Sequence, residues 1–401
     1  MKERNLAKFF SPKSIALVGA SEDKSKVGGI LFDKIYRSKS KLIPVNPNHE
    51  KIEGIECYPS IESLPHLVDL VVISTPAQTV NKILKECAKK KIKNVIVISA
   101  GFSEIKNDKL QEELVEIAKQ NNMNILGPNC FGIYNPFLDL DLTFSSTSPK
   151  KGTTAFISQS GALWSYISDL DIKFSGFVSL GNMADLNFNE WINFFLEDKK
   201  TKKIVLYMEK LNNGKEFIKI CKKSNKEIIV IKAGQTKGGS DATISHTASI
   251  ATDYAIYDGA FKQAKIKQIK SLIEAFKLKS QKIPLKKDKS IIITNAGGAG
   301  ALLIDRLIKQ GHKVKAPIDI LGTATAKDYE AEIKKLERNN YLGNIIIILT
   351  PQTMSESKNT ASVIVKSKLK KNIIALFLGD KSIRQAKKIL EQGGVSIITK
   401  I

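Results

Sequence analysis

The sequence predicts an α/β protein built from three doubly wound units. Two observations carry this. Short apolar runs recur along the chain, each ending in a Gly/Ser-rich turn that leads into an amphipathic stretch. That is the pattern of parallel strands joined by right-handed helical crossovers. The alternation also starts afresh twice within 401 residues, a length that accommodates two or three domains with their own cores. The boundaries fall at 1–137, 151–284 and 288–401.

Composition narrows the class. Hydrophobic content of 42% and charged content of 26% suit a soluble globular chain. No window reaches 18 uninterrupted apolar residues, which argues against a membrane span. The start, Met1 to Leu6, has no apolar signal core, so the reading is cytoplasmic. Cys57, Cys87, Cys130 and Cys221 lie far apart with no CxxC pair, which argues against a zinc cage or a disulfide scaffold. No metal site is predicted. A net charge of +23 raises nucleic-acid binding. The lysines, however, are spread over the whole length and rarely interleave with aromatics. No zinc-finger, RRM or KH signature is present, and a lysine-rich proteome accounts for the bias more simply. Such a field still steers a polyanionic ligand or an acidic partner subunit.

The first unit reads as Rossmann-like. Its strands are Ser14–Val18, Lys41–Val45, Leu70–Ser74 and Asn94–Ser99, with helices from Val27 and over Gln78–Lys90. Ligands of such sheets sit at the carboxyl ends of the strands. Those ends are Gly19-Ala20-Ser21, Val45-Asn46-Pro47, Ser74-Thr75-Pro76 and Ala100-Gly101-Phe102, all small turns suited to a nucleotide and its phosphates. A nicotinamide cofactor needs GxGxxG and an acid after the second strand; neither is here. Coenzyme A suits the lysine-rich rim better. Gly127-Pro128-Asn129-Cys130 closes the unit, and 138–150 reads as a connection.

The second unit opens with the strand Thr153–Ile157. Ser158-Gln159-Ser160-Gly161-Ala162-Leu163 follows and runs into a helix. Free N–H groups and a helix dipole aimed at one point make an anion site; a plain serine-capped turn is the alternative. The strand Lys203–Met208 ends at Glu209, either a solvated acid or the partner that fixes the tautomer of a histidine. After the strand Glu227–Lys232, residues Gly238 to Ile250 read as a loop of small and hydroxyl residues around His246, ahead of a helix near Asp253. His246 is either a phosphoryl-carrying nucleophile or a solvated loop histidine.

A lysine-rich linker, 277–288, leads to the third unit, which reads as flavodoxin-like. Its strand Ser290–Thr294 precedes Asn295-Ala296-Gly297-Gly298-Ala299-Gly300, a second anion-binding start, and then a helix over Leu302–Gln310. Strands Asn344–Leu349 and Asn372–Phe377 follow. No Walker A loop is present, so ATP is not bound in that manner.

In this order these segments, with Ser179-Leu180-Gly181-Asn182, Lys232-Ala233-Gly234 and Ser245-His246-Thr247, form a set over nearly the whole chain. The set closely resembles the α subunit of ADP-forming acetyl-CoA (acyl-CoA) synthetases, relatives of succinyl-CoA synthetase. The resemblance implies a coenzyme A-binding Rossmann-like domain followed by two flavodoxin-like ligase domains. It implies the reaction of acyl-CoA, phosphate and ADP to acid, CoA and ATP, through an acyl phosphate and a phosphohistidine. The histidine matches His246 and its carboxylate partner Glu209. Phosphate matches Ser158, Gln159, Ser160, Gly161 and Ala162, with Gly297, Gly298, Ala299 and Gly300. Coenzyme A matches Gly19, Ala20, Ser21, Val45, Asn46, Ser74, Thr75, Pro76, Ala100, Gly101 and Asn129. The nucleotide, with Mg²⁺, is implied on an ATP-grasp β subunit in an α2β2 assembly. A coenzyme A-binding regulatory protein without turnover is the alternative. This chain departs from the family in having Asn48, not a base, after Asn46-Pro47. Its stretch from Gly311 to Pro317 is shortened, and Ala316 stands where Asn is usual.

Overall fold

The computed structural model describes residues 4–247, 253–286 and 289–401, with 244–247 described through their backbone. In the first unit, α1 (Ala7–Phe10) precedes β1 (Ser14–Val18), α2 (Val27–Tyr36) and β2 (Lys41–Val45). The hairpin β3 (Lys51–Ile52) and β4 (Ile55–Glu56) follows, then β5 (Leu70–Ile73), α3 (Ala77–Lys89), β6 (Asn94–Val97), α4 (Asp108–Gln120) and β7 (Asn124–Leu126). The sheet is parallel in the order β2-β1-β5-β6-β7. The order reverses beside β1, so a crevice opens at the carboxyl ends of β1 and β5.

The second unit comprises β8 (Ile133–Asn135), β9 (Leu140–Asp141), β10 (Lys150–Ser158), α5 (Gly161–Ser168), β11 (Lys173–Ser179) and α6 (Phe188–Glu197). It continues with β12 (Lys203–Met208), α7 (Gly214–Lys222), β13 (Glu227–Lys232), α8 (Lys237–Thr247), α9 (Tyr254–Gln263) and β14 (Lys267–Gln268). Its sheet order is β14-β13-β12-β10-β11-β8-β9. The stretch expected to be a bare connection therefore supplies an antiparallel strand: β9 pairs with β8, which pairs with β11. Asp141 anchors it by accepting from Lys34 Nζ at 2.8 Å and from the Ser148 hydroxyl at 2.7 Å.

The third unit comprises β15 (Lys289–Thr294), α10 (Gly297–Lys309), β16 (Lys313–Val314), β17 (Ile318–Asp319), α11 (Ala326–Arg338), β18 (Asn344–Leu349), α12 (Ser357–Lys366), β19 (Ile373–Phe377), α13 (Arg384–Gln392) and β20 (Ser396–Ile398). Its parallel order is β16-β15-β18-β19-β20, with β17 also on β15. Pro317 has no N–H to donate, so the strand beside β15 is split around it. Ile345 to Ile348 are buried throughout, as a strand covered on both faces requires.

Two apolar cores cross the unit boundaries. One joins Leu17 and Val72 to Ile157 and Trp191; the other joins Leu163 and Trp164 to Leu303 and Ile304. The fully buried Asp169, following α5, clamps the third unit by accepting from the N–H groups of Asp380 (2.7 Å) and Ser382 (3.1 Å) and from the Ser382 hydroxyl (2.7 Å).

Two sequence expectations change. The helix expected from Leu302 already begins at Gly297, so the glycine run Gly297–Gly300 forms its first turn. The segment 238–247 is helix, not loop. Gly and Ser disfavour a helix interior, but tertiary contacts supply what propensity lacks, as the site shows.

Candidate functional site

The site starts from two matching turns. After β10, the Ser158 hydroxyl accepts from Ser160 N (3.1 Å) and donates to Ser160 O (2.7 Å). After β15, the Thr294 hydroxyl does the same with Ala296, at 2.9 and 3.0 Å. Each turn releases the chain into a helix whose N-cap side chain makes no capping bond. The first-turn N–H groups of α5 and α10 are left for another acceptor.

The fold brings these two starts together. A Cβ at Gly298 would stand 2.7 Å from the Ser160 hydroxyl and 2.8 Å from the Tyr207 hydroxyl. Only glycine lets the helices approach so closely. Each start contributes roughly 0.3–1 kcal/mol toward a bound anion, up to about 2 where partly buried.

Glu209 lies beside this junction. It is 6% exposed, so it is not a solvated surface acid. Its backbone N–H donates to Gln159 Oε1 at 2.7 Å, and so does that of Lys210 at 2.9 Å. The Tyr207 hydroxyl donates to Glu209 Oε1 at 3.0 Å and stands 3.3 Å from the Gly298 carbonyl. Burial and the Glu209 charge hold that phenol well above its ordinary range, so it remains a donor. Glu209 Oε2 and Gln159 Nε2 are both buried without a hydrogen-bond partner among the described residues. An orphaned carboxylate oxygen and an orphaned amide N–H at one junction call for a ligand with both a donor and an acceptor. In the third unit Asn295 copies Gln159 by accepting from Thr350 N at 2.9 Å, but Thr350 replaces the acid. Only one of the paired turns is acidic.

Lys232, 4% exposed, ends β13 in the same region. Its ammonium donates to the Ala233 carbonyl and lies 4.4 Å from the centre of the Tyr257 ring. Burial pulls the amine down to about 8, against the pull of the Glu209 and Asp305 carboxylates. Tyr207, Lys232 and Asp305 are absent from the predicted site. Tyr207 lies in the strand that leads to Glu209 and Lys232 in the noted Lys232-Ala233-Gly234 segment; Asp305 sits in mid-helix with no sequence signal.

The segment carrying His246 follows Lys232. The Asp305 carboxylate accepts from the N–H groups of Gly234 (2.8 Å), Gln235 (3.0 Å) and Thr236 (2.7 Å), and from the Thr236 hydroxyl (2.8 Å). It thus caps α8 from the third unit. A Cβ at Gly238 would stand 2.6 Å from Ile308 Cδ1, and one at Gly239 2.0 Å from Asp305 Oδ1. The first turn of α8 therefore meets the last turns of α10, which ends at Lys309. The helices still share an extended contact, so α8 runs back antiparallel along α10. His246 lies seven residues beyond Gly239, and Gly298 seven before Asp305. Each step is about 10 Å of helix, which brings the His246 backbone level with the start of α10. The His246 side chain and residues 248–252 lie outside the described residues.

The residues assigned to coenzyme A line the crevice of the first sheet. Gly19 takes φ +89°, and a Cβ at Gly28 would stand 1.9 Å from its carbonyl oxygen, so α2 sits directly on that turn. The Asn46 amide donates to Ala20 O at 2.9 Å, and the Ser74 hydroxyl donates to Val18 O at 3.1 Å. Ala20 and Val45 are buried and offer only backbone; Pro76 and Ala100 are exposed, and Ser21, Thr75 and Gly101 partly so. Asn129, at φ +54°, donates to Asn182 Oδ1 at 3.2 Å, and Asn182 donates to Glu104 Oε2 at 2.6 Å. Glu104 belongs to the 3₁₀ turn Ser103–Ile105, against which α8 packs. The crevice and the helix-start junction thus share the α8 segment. A separate cleft of about 720 Å³ opens at the amino ends of β6 and β7, beside Arg4, Lys93 and Asp185, and none of the predicted site residues lines it.

Residues 13–136 match the CoA binding domain model, and 151–280 match the succinyl-CoA ligase like flavodoxin domain model. The chain is 36% identical to the α subunit of ADP-forming acetate–CoA ligase II of Pyrococcus furiosus, over 96% of this chain and 93% of that one. It is 32% identical to the ADP-forming 4-hydroxybutyrate–CoA ligase of Nitrosopumilus maritimus, over 98% of this chain and 62% of that longer one. Among solved structures, dinucleotide forming acetyl-coenzyme A synthetase 1 of Ca. Korarchaeum cryptofilum, in complex with phosphate and ADP, matches with a TM-score of 0.65. Its identity is 32%, covering 99% of this chain and 94% of that one.

Proposed function

The chain belongs to the ADP-forming acetate–CoA ligase α-subunit family, and on that premise we propose that the α5–α10 junction holds the phosphoryl group that His246 carries. The protein is an acid–thiol ligase that works on coenzyme A and a nucleotide. In our reading, phosphate attacks the acyl-CoA carbonyl, CoA leaves as the thiol, and an acyl phosphate forms. A ring nitrogen of His246 attacks its phosphorus, and the carboxylate leaves as the free acid. The phosphohistidine then gives its phosphoryl group to ADP.

One observation supports this above the rest. Two uncapped helix starts meet where a buried carboxylate oxygen, Glu209 Oε2, has no hydrogen-bond partner among the described residues. A carboxylate there accepts the proton of one imidazole nitrogen and leaves the other nucleophilic. The helix starts stabilise the phosphoryl dianion. Positioning and electrostatics are most of what phosphoryl transfer requires.

Coenzyme A is assigned to the first-unit crevice (residues 1–137), and phosphoryl chemistry to 151–284 and 288–401. Relatives are named as α subunits, and this chain has no Walker A loop. We therefore assign ADP and Mg²⁺ to an ATP-grasp β subunit in an α2β2 assembly. Four buried free cysteines fit a reducing, cytoplasmic setting. No helix among the described residues is long and apolar enough to cross a membrane.

The test is chemical. The purified chain, given acetyl-CoA and labelled phosphate, gains an acid-labile, base-stable label that His246→Asn abolishes. Equal labelling of that variant would sink the mechanism; no label on either would favour a regulatory coenzyme A-binding role.

A further inference from the structure

We propose that Asp305 is a positioning residue for phosphoryl transfer, setting the register in which α8 presents His246 to the start of α10. The inference rests on the phosphohistidine reading above and adds a residue to it.

Three observations carry it. Asp305 is 4% exposed, and among the described residues its carboxylate accepts four hydrogen bonds from Gly234, Gln235 and Thr236, some 69 to 71 residues earlier in the chain. A buried carboxylate of that kind is a fixed anchor, because each donor lost leaves a desolvated charge less satisfied. Second, Gly239 lies against Asp305 so closely that no side chain fits between them. Sliding α8 by one turn, about 5.4 Å, would carry Gly239 away and bring a bulkier residue against the carboxylate. Third, the seven-residue offsets from Gly239 to His246 and from Asp305 to Gly298 are equal. The anchor at one end of this antiparallel pair therefore fixes which residue of α8 stands level with the phosphate-binding start at the other. Asp305 lies about 10 Å of helix from Gly298, so it acts through α8 and touches no reacting atom.

The full chain tests this with acetyl-CoA and labelled phosphate in single turnover. Asp305→Asn should slow labelling of His246 about tenfold or more, while CoA affinity and the KM for acetyl-CoA stay within about twofold. The amides of Gly234, Gln235 and Thr236 should exchange with deuterium faster. Thr236→Val, which removes the hydroxyl that donates to Asp305 and accepts from the Gly239 N–H, should fall between Asp305→Asn and wild type. A folded Asp305→Asn that labels at the wild-type rate overturns the proposal. Should that variant not fold, a wild-type labelling rate in Thr236→Val overturns it. Failure of the wild-type chain to label at His246 would instead remove the underlying reading and this inference with it.

Discussion

Ser160 and Gly298, from different units, stand so close that one methyl group on Gly298 would lie 2.7 Å from the serine hydroxyl. This contact brings two helix starts from different units together at one junction, the place we propose for the phosphoryl group.

Gly298→Ala is therefore expected to force α5 and α10 apart. Overpacking of this kind costs on the order of 1–3 kcal/mol. Thermal unfolding should show the loss, and His246 labelling should slow about tenfold beyond any effect of unfolding. Labelling at the normal rate would show that the two starts act separately.

Glu209→Gln keeps the shape and removes the charge. General-base assistance is worth about 10²–10⁴-fold, so labelling should fall by that order while coenzyme A binds as before. Tyr207→Phe removes the hydroxyl that donates to the same carboxylate and should give a smaller loss, about tenfold. If Glu209→Gln labels normally, the acid has no part in the transfer.

Lys232 makes a prediction about pH. Its folded amine titrates at about 8, below its ordinary 10.5. Between those values the unfolded chain binds more protons, so this group makes stability rise as pH rises. Below about 8 the full penalty is present, on the order of 3 kcal/mol. Lys232→Met should thus be the more stable protein at pH 7, with the gap narrowing by pH 10. Denaturant melts of both across that range measure it; a constant gap would mean that the amine titrates normally.

All four cysteines are buried. Burial raises the thiol of Cys57 and pushes those of Cys87, Cys130 and Cys221 up to about 12. A thiol reagent at pH 8 should therefore modify the native chain far more slowly than the denatured one. Fast native reaction at any site would contradict the packing around it.

The sequence by itself determined the three β–α alternations, the small turns at the strand ends, and the strand-to-helix turns at Ser158–Gly161 and Gly297–Gly300. These are local properties: apolar period, glycine at turns, and the serine or threonine that closes each turn. It also marked Glu209, but left open whether that acid is solvated or buried. Only the tertiary structure decided that Glu209 is buried with one oxygen unpartnered among the described residues, that Gly298 touches Ser160, and that the glycine- and serine-rich segment before His246 is a helix. The physical reason is separation along the chain. Gly238 and Gly239 disfavour a helix locally, yet Asp305, about 70 residues on, caps that helix and Ile304 and Ile308 pack against it. No local period reports a contact of that range.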